Sequence, residues 1–206
     1  MKKIIAIFVT AAMLTAALTA CSNNNEKEPE DSSSTTSSTP ADDKPDDGGS
    51  DNEGDTDSNL TTDEIVEAIK GAYDADSIPM IDALPEELIN DRYGLDADSY
   101  TEITAHVPMI STFVDTVVVV KAADGKVNDV EAALKAYHTS QVEESIQYPM
   151  NIEKVNAGKV VVKGNYVAFI MLGAIDERED ASDSDRAKFA EEQVQIGVDA
   201  FNALFA

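Results

Sequence analysis

Apolar and polar positions divide the chain into three unlike stretches. Residues 4–18 are almost continuously apolar, residues 22–60 hold one aliphatic side chain larger than Ala (Leu60) and no aromatic, and apolar residues return periodically from Thr61. In the third stretch Ile65, Ile69 and Ala72 or Tyr73 recur at helical spacing. They follow Thr61-Thr62-Asp63-Glu64, which fits a capping box with Thr61 as N-cap and Glu64 two positions past the first helical residue. A short second helix is expected from Pro85 to Arg92, with Pro85 suited to the first turn and Gly94 to the stop. Residues 100–107 alternate loosely and end at Pro108. Residues 112–120 then form the strongest strand pattern, with four consecutive valines. Four valines leave no polar face, so this strand is expected to be central and covered on both sides for part of its length. Residues 108–111 read as the hairpin loop between the two strands.

A helix follows from Asp129 to about Glu144, with Asn128 as the expected N-cap. Its buried stripe is Val130, Ala133, Leu134, Tyr137 and Gln141 or Val142. Asp129 and Glu131 sit in the first turn, where the helix dipole favours negative charge. Lys159–Lys163, Gly164-Asn165 and Tyr166–Leu172 form the clearest hairpin, two apolar runs joined by a pair that tolerates positive φ. A last helix is expected over about Asp185–Leu204, capped by Ser184 or Asp185, with Ala190, Val194, Gly197 or Val198, Phe201 and Phe205 on its core face. The expected fold class is α+β: one antiparallel sheet of about four strands in two hairpins, with helices packed mainly on one face. Residues 61–206, 146 in all, are enough for one domain with a single core and no disulfide.

The first two stretches suggest where that domain is held. Lys2 and Lys3 precede an apolar run of about 15 residues, the length of a secretory signal and short for a membrane span. Leu18-Thr19-Ala20-Cys21 resembles the lipobox of bacterial lipoproteins. The resemblance implies cleavage between Ala20 and Cys21 and a diacylglycerol thioether on the Cys21 thiol, whose thiolate is the nucleophile. Cys21 is the chain's one cysteine, so an exported chain has no disulfide to offer it. Two or three acyl chains, at about 0.8 kcal/mol per buried CH2, make a stable membrane anchor. Residues 1–20 are thus expected to be a signal peptide, and residues 21–60 a lipidated cysteine plus a disordered acidic tether. Residues 22–60 carry Lys27 and Lys44 against twelve acids. Such a stretch buries too little apolar surface to offset its ordering entropy, and as a flexible coil it spans about 35 Å.

Two segments carry a more specific resemblance. FVDTVVVVKAADGKVNDVEAAL at Phe113–Leu134 and VVVKGNYVAFIML at Val160–Leu172 resemble an uncharacterised lipoprotein family of Gram-positive anaerobes. The resemblance covers about Tyr100–Ala206, and KGNY at Lys163–Tyr166 is its most specific part. It implies a surface location and one small α+β domain of unknown function, with no activity and no catalytic residue to carry over.

Candidate chemistry is sparse. His106 and His138 fall on different expected elements, and residues 61–206 lack cysteine, which removes thiol chemistry from that stretch. Nucleophile-elbow, zincin, P-loop and dinucleotide-binding motifs are missing. The acid run from Asp176 to Asp185 offers weak hard-cation candidates in Asp176, Glu177, Glu179, Asp180 and Asp183, beside the plainer reading of a solvated loop. Asp115 interrupts the apolar strand. It marks either the point where the strand meets solvent or a buried carboxylate lining a pocket. Residues 61–206 carry 11 basic and 28 acidic side chains, a balance that disfavours nucleic acid and anionic lipid and favours basic peptides or proteins. No cofactor is expected. The expected function is a non-enzymatic module on the extracytoplasmic face that binds a protein, peptide or envelope polymer. A structural part of an envelope assembly and a carboxylate-dependent enzyme are the alternatives.

Overall fold

The computed structural model describes residues 59–206. The expected signal peptide, the Ala20–Cys21 cleavage and lipidation site and nearly all of the tether lie outside the described residues. Helix α1 (Thr62–Gly71) starts at the expected capping box. The Thr61 hydroxyl accepts the Glu64 N–H at 3.2 Å, and the Glu64 carboxylate accepts the Thr61 N–H at 2.9 Å. The elements that follow are β1 (Ile81–Ala83), α2 (Glu86–Tyr93), β2 (Tyr100–Pro108), β3 (Thr116–Ala122), α3 (Val127–Glu143), α4 (Ile152–Ala157), β4 (Lys159–Lys163), β5 (Tyr166–Met171) and α5 (Asp183–Ala203).

The strands form one antiparallel sheet in the order β1-β2-β3-β5-β4. The two expected hairpins are present and meet through β3 and β5, which pair from Thr116–Met171 to Lys121–Tyr166. A fifth strand, β1, adds to the expected four. It pairs Ile81 with Pro108, and three residues are too few to show a period in sequence.

Helices cover both faces of the sheet, which corrects the expected one-sided packing. Val117 and Val119 point with Ala168 and Ile170 into a core closed by α1 and α5. Val118 and Val120 point with Val167, Phe169 and Met171 into a second core, closed by α2, α3 and Val155 of α4. The physical reason is the valine run itself. Consecutive strand residues alternate between faces, so four buried valines require cover on both.

Smaller corrections concern helix starts. Helix α3 begins at Val127 behind Lys126, so Asn128 is inside the first turn and does not cap it. Helix α5 begins at Asp183, because Ser182 and Asp185 form a capping box. Ser182 is therefore the cap and Asp185 its reciprocal partner. A 3-10 turn at Pro149–Asn151 leads into α4, where sequence showed only a break at Pro149.

Candidate functional site

Strand β3 was expected from Thr112 but starts at Thr116, and the four residues 112–115 help to build the most unusual site in the domain. The Asn151 side-chain amide donates to the Thr112 carbonyl at 2.9 Å. The Asp115 carboxylate then lies against α4, where Lys154 Nζ donates to Oδ1 at 2.8 Å and to Oδ2 at 2.9 Å. The Asp115 side chain is 0% exposed and that of Lys154 4%. Asp115 is therefore buried, which corrects the reading that places it at the solvent boundary, but Lys154 and not Asp115 lines the neighbouring clefts.

A second donor, the Gly173 N–H, reaches Asp115 Oδ1 at 3.3 Å. Gly173 has φ of 132°, and a Cβ there would stand 2.5 Å from Gln193 Cβ. Gln193 is held in place from both sides. Its side-chain oxygen accepts the Ala174 N–H at 3.0 Å, and its carbonyl accepts the Tyr73 hydroxyl at 3.0 Å. Burial raises the pKa of the Asp115 carboxyl, with the Lys154 ammonium and the Gly173 N–H acting against that rise. Burial likewise pushes the Tyr73 phenol upward. The Asn151 side-chain oxygen, close by, is buried with no hydrogen-bond partner among the described residues.

Two clefts flank the pair and share Lys154, Ala174 and Ile175 as a common wall. One, about 300 Å³, lies between α4 and the start of α5, with Met150 and Phe189 as apolar lining and Glu153 and Asp183 as acids. The other, about 360 Å³, lies between residues 76–79 and 173–177, with Ile78 and Phe113 apolar and Asp76 and Glu177 acidic. These volumes fall at the lower end for small-ligand sites, roughly 300–1,000 Å³.

The acid run is organised by arginine. Arg178 donates from Nε to Asp176 Oδ1 at 2.8 Å and from its terminal nitrogen to Oδ2 at 2.6 Å, a bidentate clamp that lowers the Asp176 pKa to about 2. Arg186 donates to the carbonyls of Asp176 and Arg178 at 2.6 and 2.5 Å. Glu177, Glu179, Asp180 and Asp183 are exposed. Among the described residues no three His, Cys, Asp or Glu side chains are placed to hold a metal.

The histidines do not converge. His106 Nδ1 faces Lys70 Nζ at 3.3 Å, while His138 Nε2 lies 2.7 Å from the Val155 carbonyl beside Phe169. Burial, then the Lys70 charge, lower the His106 pKa.

Residues 74–172 match a known domain model. It is DUF4358, a domain of unknown function. The DUF4358 stretch contains all five strands and both partners of the buried pair. Helices α1 and α5, which close one face of the sheet, lie outside it. No curated protein and no solved structure matches the chain.

Sequence reading singled out Asp115 but missed Lys154. The available signal was indirect: a carboxylate within a strand flanked by valines needs a buried cation or a proton. Nothing near Lys154 pointed back, because α4 has only six residues and shows no stripe from which its inward side could be read.

Proposed function

We propose that this chain is a membrane-anchored surface lipoprotein whose folded domain is a non-enzymatic binding module. The anchor reading rests on Leu18–Cys21. Among the described residues no helix is long and apolar enough to cross a membrane. The observation that carries the binding reading is the state of the charged groups around the clefts. Lys154 spends its ammonium on both oxygens of Asp115, and Arg178 closes both oxygens of Asp176. Groups so engaged shape and rigidify a surface, whereas general acid–base or nucleophilic work needs one of them facing the reacting atoms. A second reading, a carboxylate-dependent enzyme, draws on the raised pKa of Asp115 between two clefts. Removal of Lys154 or binding of a displacing cation would be needed to free that carboxylate.

Mass spectrometry of the protein from its native envelope tests the anchor. A diacylglycerol adduct on an N-terminal Cys21 is expected, and Cys21→Ala should remain unprocessed or be shed. An unmodified wild-type N-terminus would end the lipoprotein reading. Photo-crosslinking from Ile175 in intact cells tests the module, with a discrete adduct expected. A bare Ile175 would remove the binding reading.

A further inference from the structure

Among the described residues nine large apolar side chains are exposed, and eight of them gather at the end of the sheet that holds the clefts. Met80, just before β1, stands beside Met109 and Ile110 of the β2–β3 connection, where the Met109 N–H donates to the Met80 carbonyl at 3.1 Å. Val142, Ile146, Tyr148, Met150 and Ile152 follow along the segment from the end of α3 into α4. The Asn151–Thr112 hydrogen bond ties these two groups together, and Met150 continues into the first cleft. The ninth, Leu88, lies on α2. Scattered apolar residues on a surface are ordinary, but a continuous run of them marks an interaction face.

The charged side chains around this face are mostly acidic. Asp76, Glu153, Glu177 and Asp183 line the clefts and take part in none of the ion pairs among the described residues. Of the nearby cations, Lys154 and Arg178 are committed to Asp115 and Asp176, and Arg186, in the first cleft, donates to the carbonyls of Asp176 and Arg178, so acids outnumber the cations left to face a partner. A methionine-rich apolar surface adapts to the shape of its partner, and an acidic rim selects the partner's charge. A second copy of the chain would bring the same acids, and an anionic membrane would be repelled by them.

We propose that this end of the domain docks a basic amphipathic segment of a partner protein. The segment's apolar stripe lies across Met109, Ile110 and Met150, and its Lys or Arg side chains meet Asp76, Glu153, Glu177 and Asp183. This rests on the binding-module reading and adds the partner's chemistry to it.

The test uses the full chain and a fluorescent amphipathic Leu/Lys helical peptide of about 20 residues, with a Leu/Glu twin and phosphatidylcholine–phosphatidylglycerol vesicles as comparators. Saturable binding of the Leu/Lys peptide is expected. Ile110→Lys with Met150→Lys should weaken it about tenfold or more, and Glu153→Gln with Glu177→Gln about three- to tenfold with a shallower salt dependence. Leu88→Lys should leave it unchanged, and circular dichroism checks that each variant is folded. Absence of saturable binding, equal binding of the Leu/Glu twin, an equal loss in Leu88→Lys or a preference for vesicles would overturn the proposal. Photo-crosslinking from Met150 in intact cells separates the two levels. A discrete adduct alongside a failed peptide removes the basic segment and leaves the binding module, whereas failure of both removes both.

Discussion

At one end of the sheet β4 turns into β5 through Gly164 and Asn165, the Ala122 N–H donates to the Asn165 carbonyl at 2.8 Å, and the Tyr166 hydroxyl donates to the Leu60 carbonyl at 2.5 Å. At the other end β3 begins and β5 finishes around Asp115 and Lys154, a charged pair drawn together from 39 residues apart. The first end is tied by neutral hydrogen bonds to backbone carbonyls and by a two-residue turn. The second relies on a buried ion pair, a glycine at φ of 132° and an asparagine oxygen without a partner. The buried pair and the unpartnered oxygen each cost free energy that the surrounding packing must offset, and the glycine marks a position that admits no side chain. They cluster beside the clefts and the exposed methionines, whereas the turn end has a positive-φ glycine, Gly164, in open space and no buried ion pair among the described residues. Stability and surface chemistry are thus separated along the strands of one small sheet.

The largest expected effect comes from breaking the pair on one side. Lys154→Met leaves a carboxylate buried without its cation and should lower stability at neutral pH by about 3–5 kcal/mol in urea melts of the full chain. The pH dependence has a definite sign. The Asp115 carboxyl already titrates above its ordinary value, so the folded variant holds a proton that the unfolded chain has lost. The deficit should therefore shrink on acidification towards the ordinary carboxylate range and grow as pH rises through the raised pKa. A deficit independent of pH would show that Lys154 acts through packing alone.

Two glycines sharpen the comparison between the ends. A Cβ at Gly173 meets Gln193 Cβ at 2.5 Å and adopts a φ of 132°, whereas a Cβ at Gly164 meets nothing within 4 Å at φ of 55°. Gly173→Ala should cost about 3 kcal/mol or more, from strain and overpacking together. Gly164→Ala should cost about 1–2 kcal/mol from backbone conformation alone. Equal losses in the two variants would erase the distinction.

A smaller effect is expected from His106. The Lys70 ammonium faces its Nδ1 at 3.3 Å, a geometry that suits a neutral imidazole accepting a hydrogen bond. With its pKa lowered from 6.5, the folded protein binds fewer protons here than the unfolded chain. This contribution is present above pH 6.5 and is lost as pH falls from there through the folded pKa. His106→Gln should flatten the stability–pH curve in that window, and an unchanged slope would contradict the assignment.

Most of the fold was legible because its elements are long and strongly patterned. The capping box at Thr61, the valine run and the Gly164-Asn165 hairpin each combine a local signal with apolar periodicity. Strand β1 and helix α4 were not legible, since three and six residues cannot display a period. The valine run alone implies two-sided cover, but which helices supply it depends on chain reversals at α2 and α4 that carry no periodic signal. At the site, Asp115 was visible as an acid out of place, but its environment depends on where α4 sits. The acid run offers only weak cation candidates beside a solvated loop, because sequence shows density of charge and not that Arg178 closes Asp176 while Glu177, Glu179, Asp180 and Asp183 stay exposed.

The central claim is that the Asp115–Lys154 pair is kept for the shape and chemistry of its end of the sheet and is dispensable for the fold's stability. The most direct test is the urea midpoint of the full-chain double variant Asp115→Val with Lys154→Met, measured beside both single variants. Replacing a buried ion pair by apolar side chains of similar volume is often neutral or stabilising by about 1–4 kcal/mol, while removing one partner is not. The double variant should therefore match or exceed the wild-type midpoint, with both single variants well below it. A double variant as unstable as the worse single would contradict the claim and make the pair a structural requirement of the sheet.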